Sequence, residues 1–165
     1  MIITDEFVIR TIEEQDIDWI HRWNTSEFRG AYQESPFESK HTLIQGYQKD
    51  GFCSESFQML CIEVEEQPIG LIYIHFIRNG LIGLGLVICE QARNKQLGTR
   101  ITSTITAHLF ANYDVCRIQA DTDINNISAQ TVLKKSGFIK EGVLRKYRYH
   151  HGKYNDSVMY SLVRE

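Results

Sequence analysis

The chain has 165 residues, a net charge of −3, 42% hydrophobic and 24% charged residues, the balance of a soluble globular protein able to bury a core of its own. No apolar run approaches the ~20 residues of a membrane span, and the N-terminus, Met1 to Phe7, lacks a basic region followed by an apolar core. The expectation is therefore one domain over residues 1–165, cytoplasmic, with no membrane partner; the near-neutral charge argues against nucleic acid as well.

In chain order, Phe7 to Ile12 reads as a first strand, and Glu13 to Asp16 as a helix-start cluster before Ile17, Ile20 and Trp23. Thr25 to Glu38 is polar and aromatic, contains Pro36 and reads as a loop. Ser39 can cap a second helix that Gly51 ends. Phe57 to Val64 and Pro68 to Phe76 flank the hairpin signal Glu65 to Gln67, and Asn79-Gly80 leads into a strand from Leu81 to Ile88. A helix from Gln96 follows, with Leu97, Ile101, Ile105 and Leu109 on one face, then a strand from Arg117 to Thr122. A short helix from Asn126 to Gly137 and strands near Phe138 to Leu144 and Asn155 to Leu162 complete the chain. Cys53, Cys61, Cys89 and Cys116 form no Cys-x-x-Cys pair, and at least three lie in strand-like context, so buried thiols are expected, with no disulfide framework and no metal site.

The chemistry concentrates in Gln91 to Thr99, where a strand turns directly into a helix. A helix start leaves several N–H groups without intrahelical partners, and the helix dipole adds positive potential there. With Arg93 and Lys95 nearby, and Gly98 permitting close approach, the natural guest is a phosphate or pyrophosphate. An ordinary solvated helix start fits these local features as well. Charge is divided along the chain, −5 over residues 1–40 and +2 over the remainder. The basic part suits a phosphate-bearing ligand, and the acidic arm is either a complement to a cationic acceptor or a solvated face.

The chain resembles the GNAT N-acetyltransferase superfamily, and within it the RimJ/RimL-type branch. The pyrophosphate signature falls on Arg93, Asn94, Lys95, Gln96, Leu97 and Gly98, with Gln96 in place of the first glycine. A second signature falls on Asn126, Ala129, Leu133, Lys135, Gly137 and Phe138, and a closing one on Glu141-Gly142, Gly152, Tyr154 and Asp156. The resemblance implies an α+β GNAT fold: a mixed, mostly antiparallel twisted sheet of about six to seven strands, flanked by four helices and splayed at the acetyl-CoA site. It implies an acetyl-CoA cosubstrate held by Leu86, Val87, Ile88, Arg93, Asn94, Lys95, Gln96, Leu97, Gly98, Thr99, Asn126 and Ser128, with no metal. Asn126 and Ser128 also fit plain helix-start roles. For Gln96 a backbone conformation open to any residue is expected.

The implied reaction is acetyl transfer to a primary amine by direct attack in a ternary complex. The branch points to a protein N-terminus, such as that of a ribosomal protein; an amino sugar, polyamine or aminoglycoside is the alternative acceptor. A homodimer is a candidate assembly. Many members carry a glutamate on the splayed strand and a tyrosine in the Asn126 helix, whereas here the strand has no acid and the tyrosine position is Leu133. His75 and Asp121 are left as weak candidate bases, against the plainer readings of a core histidine and a loop-facing salt-bridged acid, and Tyr32, Tyr147 and Tyr149 as candidate acids that serve packing equally well. The missing pair also keeps open a non-catalytic acyl-CoA sensor. The His150-His151 pair lacks the spacing of a metal site.

Overall fold

The computed structural model describes residues 1–24, 30–32, 37–93 and 96–164. Strand β1 (Ile2–Ile3) pairs antiparallel with β2 (Val8–Thr11). After β2 a 3-10 turn, Glu14–Asp16, is closed by a capping box between Glu13 and Asp16. It opens α1 (Ile17–Asn24), and Ser39, accepting the His41 N–H, caps α2 (Lys40–Asp50). Gly51 ends α2 at φ 61°, the left-handed conformation glycine adopts without steric cost.

The sheet then builds by hairpins, β3 (Phe57–Val64), β4 (Gln67–Arg78) and β5 (Gly80–Ile88). Glu65 and Glu66 both take positive φ, the two-residue turn whose twist matches its flanking strands. Helix α3 (Leu97–Asn112) crosses over to β6 (Val115–Asp123), and α4 (Ile127–Lys135) leads to the hairpin of β7 (Ile139–His150) and β8 (Lys153–Val163).

The order is β1-β2-β3-β4-β5-β6-β8-β7, antiparallel except where β5 meets β6. It is the expected mixed sheet and four helices, with an eighth, two-residue strand at one edge. Each sheet face carries its own core. Ile101, Ile105 and Leu109 of α3 pack on Ile72, Ile82, Ile118 and Tyr160. On the other face, Ile17, Ile20 and Leu43 of α1 and α2 cover Met59, Cys61 and Leu71. A buried ion pair lies beneath them, Arg10 Nη1 to Asp16 Oδ2 at 2.6 Å, with Glu63 on the second guanidinium nitrogen.

The structure departs from the sequence reading at two points. The last two strands run longer than expected, because a bulge over residues 145–147, with Lys146 at φ 50°, lets the ladder resume at Arg148 opposite Asn155 and run on to His150 opposite Lys153. Only Cys61 and Cys89 are buried; Cys53 and Cys116 are exposed. Most of the expected 25–38 loop lies outside the described residues.

Candidate active site

The parallel β5–β6 ladder is short, running from Gly80 opposite Val115 to Gly83 opposite Gln119. Beyond that, β5 continues along β4 as far as Ile88 opposite Gly70, and β6 continues along β8 as far as Asp123 opposite Ser157. Two neighbouring strands thus part and leave a gap inside the sheet. The Cys89 N–H donates to Ile69 C=O at 2.8 Å, and antiparallel alternation then points the Leu84 C=O and the backbone groups of Leu86 and Ile88 into the gap, the Leu84 N–H being taken by the last β5–β6 pair. The same alternation commits the backbone of Val87 to Leu71, so Val87 does not offer the gap the groups that the sequence reading gave it. Across the gap, the Ile124 N–H to Asp156 C=O bond places the backbones of Asp121 and Asp123 on the open side. Backbone donors and acceptors inside a sheet require partners, and an extended amide-bearing chain supplies them as an added strand does.

Helix α3 starts at the mouth of this gap. Its first intrahelical bond is Arg100 N–H to Gln96 C=O at 3.4 Å, so the N–H groups of Leu97, Gly98 and Thr99 precede the ladder and stay available to an anion. Gln96 sits at φ 58°, ψ 5°, left-handed, with no side-chain cap. The expectation of a conformation open to any residue was wrong: this backbone favours the glycine that Gln96 replaces. Gly98 differs too. A Cβ there would meet Val132 Cγ2 at 3.1 Å, so the glycine makes room for α4 and not only for a ligand.

Arg93 Nε donates to the Ile88 C=O at 3.0 Å, and its guanidinium lies against Gly30 in the connection between α1 and α2. Asn94 and Lys95 lie outside the described residues. Asn126 Oδ1 caps α4 by accepting the Ala129 N–H at 3.1 Å, leaving its amide nitrogen for other partners, and Ser128 is exposed in the first turn. The starts of α3 and α4 therefore stand side by side at the C-terminal ends of two parallel strands, the usual ligand position in such sheets.

The candidate bases fare differently. Asp121 is held by Arg148, whose Nε donates to its Oδ2 and whose Nη2 donates to its C=O, both at 3.0 Å, the arrangement of a structural ion pair. His75 is exposed and level with the vertex, opposite Gly83, with its ring 4.9 Å from that of Phe57. Tyr32 donates its hydroxyl to the Asn125 C=O at 3.1 Å, Tyr147 and Tyr149 are exposed on β7, and Leu133 is core. Glu141 of the closing pattern is structural: hydrogen bonds from Arg117 on β6 and then Ser161 on β8 bring its carboxyl to about 2.

One constellation escaped the sequence reading. His150 Nε2 lies 2.6 Å from Asp123 Oδ2, with the histidine 7% and the aspartate 0% exposed. Burial opposes ionisation of Asp123, yet His150 and the Asn125 N–H together hold its carboxyl below the usual range. His150 Nδ1 is buried with no hydrogen-bond partner. The pair spans 27 residues of sequence, and the only signal for it was an acid closing the strand that precedes Asn126. Among the described residues no group of three or more side chains could hold a metal, and no helix is long and apolar enough to cross a membrane.

Residues 9–159 match the model of the acetyltransferase (GNAT) domain. An uncharacterized N-acetyltransferase of Bacillus subtilis, YoaA, is 28% identical over 98% of this chain and 95% of its own length. The Vibrio cholerae spermidine N-acetyltransferase, solved with CoA and spermine, aligns with a TM-score of 0.88 at 20% identity, covering 97% of this chain and 96% of that one. RimL, a ribosomal L7/L12 α-N-protein acetyltransferase solved with CoA, aligns at 0.83 and 16%, covering 97% and 95%. At these identities the solved structures share the fold, and they do not single out the RimJ/RimL branch.

Proposed function

The chain belongs to the GNAT acetyltransferase family, and from that premise we propose that it moves the acetyl group of acetyl-CoA to a small polycationic amine by direct attack in a ternary complex. The observation that carries this is the parted β5–β6 pair. The inward-facing backbone groups of Leu84 and Leu86 match an amide-bearing arm, and the free N–H groups of Leu97, Gly98 and Thr99 match a pyrophosphate at the mouth. Acetyl-CoA supplies the activated acyl group. The protein holds it in line and uses the backbone N–H of Leu86, on the gap edge of β5, to polarise the thioester carbonyl.

A gap through a sheet is open from both faces. The α3 and α4 starts occupy one, so the acceptor enters from the face of α1, α2 and His75. Residues 1–40 carry a net charge of −5, which suits a polyamine. The Vibrio relative, whose structure holds spermine, supports the same class. A protein N-terminus is the second reading, supported by the likeness to RimL. Thiol release from acetyl-CoA should be measured with spermidine, an α-amino peptide and glucosamine. Turnover greatest with spermidine is the expected result. Turnover greatest with the peptide favours the second reading, and CoA binding without turnover on any amine would make the protein an acyl-CoA sensor.

A further inference from the structure

Asp123 closes β6 on the side facing the gap, and strand alternation sets its side chain opposite the face on which Ile118 and Ala120 enter the α3 core. The Asp123–His150 pair therefore lies on the acceptor face. It is covered by the connection between α1 and α2: the Tyr32 ring stands edge-on 6.1 Å from the His150 ring, and His151 Nε2 is 2.8 Å from the Ala31 C=O.

The pairing defines the proton. An ionised Asp123 accepts from Nε2–H, which fixes the tautomer of the neutral ring and leaves the Nδ1 lone pair without a donor. A polar atom buried with no partner costs free energy, and most such atoms in folded proteins are satisfied. We propose that this nitrogen is the general base for the acceptor amine, with Asp123 as its orienting partner, a dyad that replaces the absent strand glutamate.

The step balances. The ammonium of the acceptor gives one proton to the buried Nδ1 through a water, and Asp123 stabilises the imidazolium. The freed amine attacks the thioester carbonyl, forming the C–N bond, and the C–S bond breaks. The second amine proton goes to the leaving thiolate, and His150 returns its own to solvent as the product leaves. Among the described residues, the other charged or titratable groups around the ring are His151 at 5.3 Å between ring centres, Tyr32, Lys153 opposite His150 in the hairpin, and the Asp121–Arg148 ion pair.

This inference rests on the transferase reading above, and the test separates the two. The pH dependence of kcat/KM is measured with acceptors of differing amine pKa, for the intact protein, His150→Gln and Asp123→Asn, with thermal unfolding recorded for each. The intact protein is expected to show one plateau at the same pH for every acceptor. His150→Gln should lower kcat by about 100-fold or more, leave KM nearly unchanged, and make the rate follow each acceptor's own amine. Asp123→Asn should lower kcat with KM retained. Nitrogen NMR of the free protein should find the proton of the neutral ring on Nε2. Turnover with an unchanged plateau in a folded His150→Gln variant overturns the dyad and spares the transferase. No turnover with any amine overturns both.

Discussion

Val132 Cγ2 stands 3.1 Å from the point where a Cβ on Gly98 would lie, and Ile88 Cδ1 stands 3.7 Å from it. The glycine of the anion-loop pattern is thus wedged between the end of β5 and the middle of α4. Gly98→Ala should destabilise the fold by about 1–3 kcal/mol through overpacking, and Gly98→Val by more. Adding Val132→Ala to Gly98→Ala should recover most of the loss in urea unfolding. Calorimetry with CoA on the same pair tells packing from ligand contact: affinity restored with stability means the glycine acts through α4.

Gln96 holds a left-handed backbone that costs a side-chain-bearing residue roughly 1–2 kcal/mol. Gln96→Gly should therefore raise stability by about 1 kcal/mol. CoA affinity should change by less than about tenfold, roughly 1.4 kcal/mol, because the loop already holds the conformation. A larger gain in affinity would show that the loop is distorted as it stands.

Arg10 and Asp16 form a buried two-point ion pair, joined by the Trp19 indole N–H and the Glu13 N–H on the same carboxylate. Burial raises the Asp16 carboxyl, but hydrogen bonds from Arg10, Glu13 and Trp19 outweigh it and lower it below the usual range. A carboxyl depressed in the folded state adds stability above its unfolded pKa of about 3.9, and that stability fades as pH falls through the folded value. Arg10→Met should cost about 3–5 kcal/mol near neutrality by leaving the carboxylate uncompensated. The difference from the parent should shrink in urea unfolding below about pH 4.

Asp121 and His75 are predicted to be dispensable for chemistry. Asp121→Asn keeps the shape beside Arg148 and should change kcat less than about threefold, with a stability loss of about 1 kcal/mol. His75→Ala should behave alike in kcat. Steady-state kinetics on both variants check this, and a loss of the size expected for a general base, 100-fold or more, would return that residue to the mechanism.

The elements were legible because turn and cap chemistry is local. Ser39 and Gly51 bracket α2, and the Phe57–Val64 strand has the bounds its apolar run predicts. The split strand was legible only through family resemblance, since Leu84 to Ile88 would read the same in any sheet interior. Period-two alternation puts Asp121 and Asp123 on one face, but it does not say that Arg148 takes the first and His150 the second. Those partners arrive from β7 across β8, beyond any spacing rule. The left-handed Gln96 was hidden for a related reason, because the residue there is not the one its backbone prefers.

The sheet is joined across its middle by only four residue pairs, from Gly80–Val115 to Gly83–Gln119. On one side stand β1 to β5, on the other β6 to β8, with α3 as the covalent strap. A cosubstrate lying in the opening would complete the seam, so its binding energy would act on the cohesion of the two halves. By mass action a ligand at a hundred times its Kd adds about 2.7 kcal/mol to the folded state. Amide exchange should then slow most at Leu86 and Ile88, whose N–H groups gain a partner, and little at Leu84 and Val87, which already have one in the β6 and β4 ladders. Hydrogen exchange with and without CoA would read that alternation directly, residue by residue, as a footprint of the arm.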